Sequence, residues 1–220
     1  MKPPSRGFDR LAPWYRAAEF AAFGRDLERT RFEYLGRLAG ARRILLLGEG
    51  DGRCAERVAA LHPRASILGV DSSPGMVARA TRRLAGTAAA RRVRFACADA
   101  LTFDPGPERF DAVATLFFLD CFRPDQVAAL AGRIGGVLTA DATWLFSDFV
   151  LPPAGWRRQR ARAWLALLYA FFRWETGLGV RELPPSEDIL GGRGWRRTAC
   201  RDRQGGLLRS AVFRRETAAD

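Results

Sequence analysis

Residues 41–48, ARRILLLG, are an unbroken aliphatic run that ends on the first of three glycines at alternate positions, Gly48, Gly50 and Gly52. A strand that is aliphatic on both faces belongs inside a parallel sheet, with helices covering each side. Glycines in the turn that leaves it permit positive φ and let backbone approach a ligand closely. This segment constrains the chain more than any other: it predicts an α/β fold whose first strand is central and whose first strand-to-helix turn faces a crevice.

The rest of the chain keeps that rhythm. A helical stretch, 53–62, closes at Pro63, and SILGVD (66–71) is the second strand. SPGMVARATRRL (73–84) is a helix with Pro74 in its first turn, where a missing N–H costs nothing. RVRFACAD (92–99) and RFDAVATLFFL (109–119) are strands three and four, 123–138 is a helix, and TWLFSDFV (143–150) is strand five. After Pro152-Pro153 a long helix is expected over 155–177, then a short helical turn within 186–195. WRRTACRD (195–202) and LLRSAVFRR (207–215), joined through DRQGG, predict a terminal hairpin, so the last strand runs antiparallel to the rest. Residues 9–40 are a helical preamble.

The chain has 220 residues, 48% hydrophobic, enough for one large domain with its own core. Its formal charge of +12 comes from 36 Lys and Arg, of which only Lys2 is lysine, against 24 acids. A nucleic-acid surface concentrates its cations on one track, whereas these arginines are spread along the chain, and a nucleic-acid partner is not expected. No apolar run is long enough to span a bilayer, and the first residues lack the apolar core of a secretory signal. The four cysteines, Cys54, Cys97, Cys121 and Cys200, are scattered without a C-x-x-C pair, so neither a metal site nor a disulfide framework is expected and a reducing cytoplasm suits them.

Two acids mark the crevice. Asp71 ends strand two, 19 residues beyond Gly52, where a carboxylate can accept both hydroxyls of a ribose. Asp99 ends strand three, where it can meet an adenine amino group. The glycine spacing is G-x-G-x-G rather than G-x-G-x-x-G, so the turn is not built for a pyrophosphate.

On these residues the chain resembles the class I S-adenosylmethionine-dependent methyltransferases. ILLLGEGDGR is similar to their first motif, GVDSSPGMVARA to the second, RFACADA to the third and FDAVATLFFLDCF to the fourth, a resemblance covering 41–150. It implies a Rossmann-like seven-stranded, mainly parallel sheet of order 3-2-1-4-5-7-6, with helices on both faces. The N-terminal helical cap, 1–40, would join a methyltransferase domain over 41–220 that carries a lid-like insertion at 155–192. It implies S-adenosylmethionine as cofactor, held by Gly48, Glu49, Gly50, Gly52, Asp71, Ser72, Met76, Asp99, Ala100 and Thr115. One departure is Leu46, where the family often has Asp or Glu; Glu49 or Asp51 could substitute, or Arg53 could take the cofactor carboxylate. FDRLAPWY (8–15) is similar to the opening of ubiquinone/menaquinone C-methyltransferases, which makes Tyr15 a lid candidate, an ordinary packing aromatic being the alternative.

Transfer to an enolic carbon or a hydroxyl also needs a base. His62 sits at a helix end away from the strand tips and reads as structural. The carboxylates near those tips are Asp120 and Asp148, and Asp120, after strand four, is the catalytic candidate; a loop acid before the helix at Pro124 is the alternative reading. The stretch 156–175 sets arginines beside aromatics and leucines, which suits an apolar acceptor lid or contact with an anionic membrane surface, a helix packed over the sheet with a solvated basic end being the alternative. A small, apolar or aromatic acceptor, quinone- or lipid-like, is the expectation, in a cytoplasmic enzyme for which peripheral contact with the inner face of a membrane is an open option. The alternatives are an RNA or protein methyltransferase using the arginine-rich surface, and an inactive cofactor-binding regulator.

Overall fold

The computed structural model describes residues 23–176 and 182–215, with side chains of 167–176 outside the description. Its elements are α1 (Asp26–Phe32), a 3-10 turn (Leu35–Leu38), β1 (Arg43–Leu47), α2 (Arg53–Leu61), β2 (Ser66–Asp71), α3 (Pro74–Leu84), β3 (Val93–Cys97) and β4 (Phe110–Leu116). A second 3-10 turn (Leu119–Cys121), α4 (Pro124–Val137), β5 (Leu138–Phe149), α5 (Gly155–Thr176), α6 (Ser186–Gly191), β6 (Trp195–Arg203) and β7 (Leu208–Arg215) complete it. The seven strands form one sheet of order β3-β2-β1-β4-β5-β7-β6. β7 runs antiparallel to both β5 and β6, and the pairs among β1 to β5 are parallel. The strand order is the one the family resemblance implies, and the antiparallel last strand is as the terminal hairpin predicted.

The aliphatic run explains why β1 is central. Ile44, Leu45, Leu46 and Leu47 are all within 2% of full burial, each worth about 1.5–3 kcal/mol relative to an exposed side chain. Alternation sends Leu45 and Leu47 to one face, where α4 (Val127, Leu130, Ala131, Ile134) covers them. It sends Ile44 and Leu46 to the other, against Cys54, Ala55, Val58 and Ala59 of α2. A third cluster joins Phe23 and Leu27 to Phe149, Ala161, Leu165, Leu207 and Leu208, where α5 covers the carboxyl end of β5.

Two boundaries differ from the sequence reading. β5 begins at Leu138, directly after α4, because Leu138 pairs with Phe110 across a register shift in β4. β4 stops at Leu116, short of residue 119, because Phe117 adopts φ +58° and ends the ladder. His62 caps the far end of α2, its ring Nε2 2.8 Å from the Leu35 carbonyl, which is a structural role.

Candidate functional site

The turn after β1 passes through Gly48 (φ +68°), Gly50 (φ +69°) and Gly52 (φ +88°) before entering α2. A Cβ on Gly48 would lie 2.2 Å from the Phe118 ring, and one on Gly52 would lie 2.7 Å from the Ala80 backbone. Packing therefore closes both positions to any side chain, while Gly50 has nothing within 4 Å and marks the open side of the turn. Gly52→Ala is expected to cost about 2 kcal/mol or more, since an L-residue in the left-handed region costs about 1–2 kcal/mol before any clash is counted. Chemical denaturation of the variant against wild type checks this; an unchanged midpoint would refute it.

The turn is tied to β2. The N–H groups of Gly48 and Glu49 donate to the Val70 carbonyl at 2.9 and 3.2 Å, and the Gly50 N–H donates to Asp71 Oδ2 at 2.9 Å. The Ser73 N–H donates to Asp71 Oδ1 at 2.8 Å, so both carboxylate oxygens are oriented by backbone. Asp71 pairs in register with Cys97, and the Ala98 N–H donates to its carbonyl at 3.0 Å, which places the β3 exit beside it. There Asp99 is exposed, with Oδ1 accepting from the Leu101 N–H at 2.9 Å, and Ala100 is buried behind it. Ser72 is exposed, and Met76 is half-buried in the first turn of α3, its N–H donating to Ser73 Oγ at 3.1 Å. Gly48, Gly50, Gly52, Asp71, Ser72, Met76, Asp99 and Ala100 thus lie around one end of the sheet.

Thr115 does not join them. It is fully buried, and its Oγ1 accepts from the Trp144 indole N–H at 2.9 Å. Alternation along β4 puts it on the same face as buried Val113, so its side chain packs in the core rather than at the crevice. Tyr15 lies outside the described residues.

Leu46, the departure from the family's first motif, is 2% exposed and packs in the cluster that holds α2. An acid appears three residues later: Glu49 Oε1 accepts from the Ala55 N–H at 2.8 Å, serving an otherwise unpaired donor at the start of α2. Asp51 and Arg53 pair with each other at 3.0 Å, and Arg83 joins Asp51 at 3.2 Å, so those two side chains are engaged in a surface ion network.

Burial pushes the Glu49 carboxyl up to about 8, against an opposing effect of the Ala55 hydrogen bond. Because this group binds its proton more tightly folded than unfolded, its stabilising effect is full below about pH 4.5 and is lost as pH rises through about 8. Glu49→Gln, which keeps an acceptor for Ala55, is expected to flatten the fall in Tm between these limits. Parallel melting curves of the two proteins across pH test it, and an identical slope would count against it.

Arg31 is a residue that sequence reasoning missed. It sits in α1, which the Ser147 hydroxyl ties to the sheet by donating to the Thr30 carbonyl at 3.1 Å. Its guanidinium lies 5.4 Å from the centre of the Phe117 ring, and its charge acts on both Glu49 and Cys54. No local motif marks it; only the docking of α1 beside the glycine turn does.

At the exits of β4 and β5 the chain brings two acids together. The Phe117 N–H donates to the Ser147 carbonyl at 2.6 Å as β4 ends. The N–H groups of Asp120 and Phe149 then donate to Asp148 Oδ2 at 3.0 Å and Oδ1 at 2.9 Å. Asp120 is 9% exposed and Asp148 2%, and the two carboxyls are hydrogen-bonded to each other. Burial raises both, Asp120 to about 6 and Asp148 well above the usual carboxylate range, the neighbouring Asp120 charge adding to the latter. The two carboxyls therefore titrate as a pair that holds a proton more tightly than isolated carboxyls do. The Cys121 thiol, 3.6 Å from Asp120 Oδ1, is raised by burial and by the charges of Asp120, Asp148 and Asp71. Among the described residues no group of His, Cys, Asp and Glu is arranged to hold a metal ion.

A family model described as a methyltransferase domain matches residues 44–141, from β1 into β5. A trans-aconitate 2-methyltransferase of Methylobacterium nodulans is 39% identical over 99 residues, covering 44% of this chain and 36% of that protein. A demethylmenaquinone methyltransferase of Thermus thermophilus is 34% identical over 150 residues, 67% of this chain and 66% of that protein. The chain thus spans between about a third and two thirds of these relatives' lengths. Among solved structures, the mitomycin 7-O-methyltransferase MmcR superposes with a TM-score of 0.66 at 20% identity, over 94% of this chain and 59% of that one. The N-methyltransferase NodS of Bradyrhizobium japonicum gives 0.58 at 18% identity, over 87% and 98%. These two likenesses show the fold. With that fold established independently by strand order, and with the sequence match lying on the very strands whose ends form the crevice, the chain belongs to the class I S-adenosylmethionine-dependent methyltransferases.

Proposed function

We propose that this chain transfers a methyl group from S-adenosylmethionine to a small apolar or aromatic acceptor, quinone- or lipid-like, with Asp120 accepting the acceptor's proton. When bound, the cofactor supplies an electrophilic methyl group. The residues present fit it: the open side of the turn at Gly50 leaves room for its amino-acid end, Arg31 offers a cation for its carboxylate, and Asp71 offers acceptors for its ribose. Ser72, Met76, Asp99 and Ala100 lie where the adenine would rest. Methyl transfer asks little covalent work of a protein, and positioning with exclusion of water supplies most of the acceleration.

The observation that carries the acceptor class is the aromatic lining at the β4 and β5 exits. Phe118 lies on Gly48 and meets Phe122 at 4.9 Å. Phe117 meets Phe149 at 5.3 Å, and Phe23 meets Phe149 at 5.5 Å. Ala161 and Leu165 of α5 pack on this group, which supports the segment 155–192 as a lid. The name of the Thermus relative, a demethylmenaquinone methyltransferase, points the same way. An RNA acceptor is less well supported, because Arg53, Arg83, Arg94, Arg123, Arg197, Arg201, Arg203 and Arg209 are each paired with a carboxylate. The proposal includes a cytoplasmic location with contact to a membrane's inner face; among the described residues no helix is long and apolar enough to cross a membrane.

The test is to add purified protein and S-adenosylmethionine carrying a radioactive methyl group to a cell extract. Label entering the organic phase is the expected result. Label in RNA or protein overturns the acceptor class, and cofactor binding with no label anywhere supports an inactive regulator instead.

A further inference from the structure

We propose that the outward face of the first half of α5 is a docking surface for an anionic lipid bilayer. Trp156, Arg157, Arg160, Ala163 and Trp164 are all exposed and follow the spacing i, i+1, i+4, i+7, i+8. At about 100° per residue they share one stripe of the helix. The side flanking Arg157 carries Ala161 and Leu165, 3% and 5% exposed, which anchor the helix on Phe149 at the end of β5. The stripe is exposed but not detached: the Arg157 and Arg160 side chains run beside the β6–β7 turn at Gly205, and the Trp164 ring lies 6.2 Å from that of Phe23, which leaves Trp156 as its most open member.

Three large hydrophobic side chains are exposed among the described residues, Leu61, Trp156 and Trp164, and two of them stand on this stripe. Trp156 is 65% exposed, an unusual position for the largest apolar side chain in a protein that buries Trp144 completely. Two cations accompany it: the guanidinium carbons of Arg160 and Arg157 lie 4.9 and 5.8 Å from its ring centre. From residue 149 to residue 174 the sequence contains five arginines and no acid. Arg158 donates to the Pro152 carbonyl at 3.0 Å, which fixes the start of the helix rather than the outer face.

Charge complementarity selects the occupant. Indole rings settle at the boundary between headgroups and acyl chains, and arginines beside them meet lipid phosphates. A nucleic acid needs open ring faces on which bases stack, whereas two guanidinia already lie over Trp156. The surface sits on the outside of the segment that covers the aromatic lining, so docking would bring that lining close to a bilayer. The inference does not depend on methyl transfer, and its test does not use it.

The experiment is co-sedimentation of the full chain with vesicles of phosphatidylcholine, with and without phosphatidylglycerol. Wild type is compared with Trp156→Ala and with the double variant Arg157→Glu, Arg160→Glu. Expected is binding to the anionic vesicles only, weakened about tenfold in Trp156→Ala and more than tenfold in the charge-reversed protein. Circular dichroism spectra and melting temperatures, unchanged in both variants, show that they are folded. No sedimentation of wild type, equal binding to neutral vesicles, or indifference to all three substitutions overturns the proposal. So does competition in which single-stranded RNA, and not anionic lipid, is the ligand these substitutions weaken.

Discussion

Asp71→Ala is expected to bind S-adenosylhomocysteine at least about 100-fold more weakly than wild type, measured by titration calorimetry. The side chain does two things at once. Its carboxylate accepts the Gly50 and Ser73 N–H groups at 2.9 and 2.8 Å, which holds the glycine turn against the exit of β2. In the proposed binding mode it also presents oxygen to the ribose. A hydrogen bond involving a charged group is worth about 1.5–3 kcal/mol, so losing the ribose contact alone removes about tenfold to 100-fold. Loss of turn order adds to that. Asp71→Asn, which keeps one carbonyl oxygen but not the charge, should fall between the two. If Asp71→Ala binds as tightly as wild type, the crevice described here is not the cofactor site.

Asp120→Asn is expected to lower kcat by about 100-fold or more while leaving S-adenosylhomocysteine binding within about twofold, because general-base catalysis contributes about 10²–10⁴. With Asp120 raised by burial to about 6, kcat/KM of the wild type should climb as pH rises through that value and then level off. The acid limb should vanish in the variant. Asp148→Asn should be milder in activity, since its amide N–H can donate to Asp120 as the protonated acid does. It should cost about 1 kcal/mol in stability, one of the two backbone donors losing its charged or acidic partner. Both carboxyls are raised on folding, so the pair stabilises the protein fully at low pH and progressively less as pH rises through about 6. A flat pH profile in wild type would remove Asp120 from the reaction.

Much of the sheet could be read directly. Runs such as Ile44 to Leu47 have no alternative that buries four aliphatic side chains on two opposite faces, and the hairpin around Gly205 and Gly206 is marked by its turn residues. Gly48, Gly50, Gly52, Asp71 and Asp99 were legible for the same reason: each follows a recognisable strand at a fixed distance. Thr115 was not, because period-two alternation says that neighbours face opposite ways without saying which way is inward. Glu49 was legible as an acid near the turn, but its turning inward to Ala55 depends on the space that Gly69 leaves, where a Cβ would meet the Glu49 side chain at 3.2 Å. Arg31 was invisible, since α1 reaches the turn by packing on β6 and β7 and by the Ser147 hydrogen bond from β5, all distant in sequence.

By itself the sequence determined the central place of β1, the terminal hairpin and the glycine turn with Asp71 beside it, because these rest on local backbone freedom and on the periodicity of burial; the strand order came from the resemblance to the family. The tertiary structure alone decided which carboxyls share a proton. Asp120 and Asp148 are 28 residues apart and meet only because β4 and β5 are adjacent, parallel and end together. It also decided where the arginines go. A charge of +12 says nothing of geometry; ion pairs such as those of Arg201 and Arg203 with Glu33 exist only once distant segments have packed.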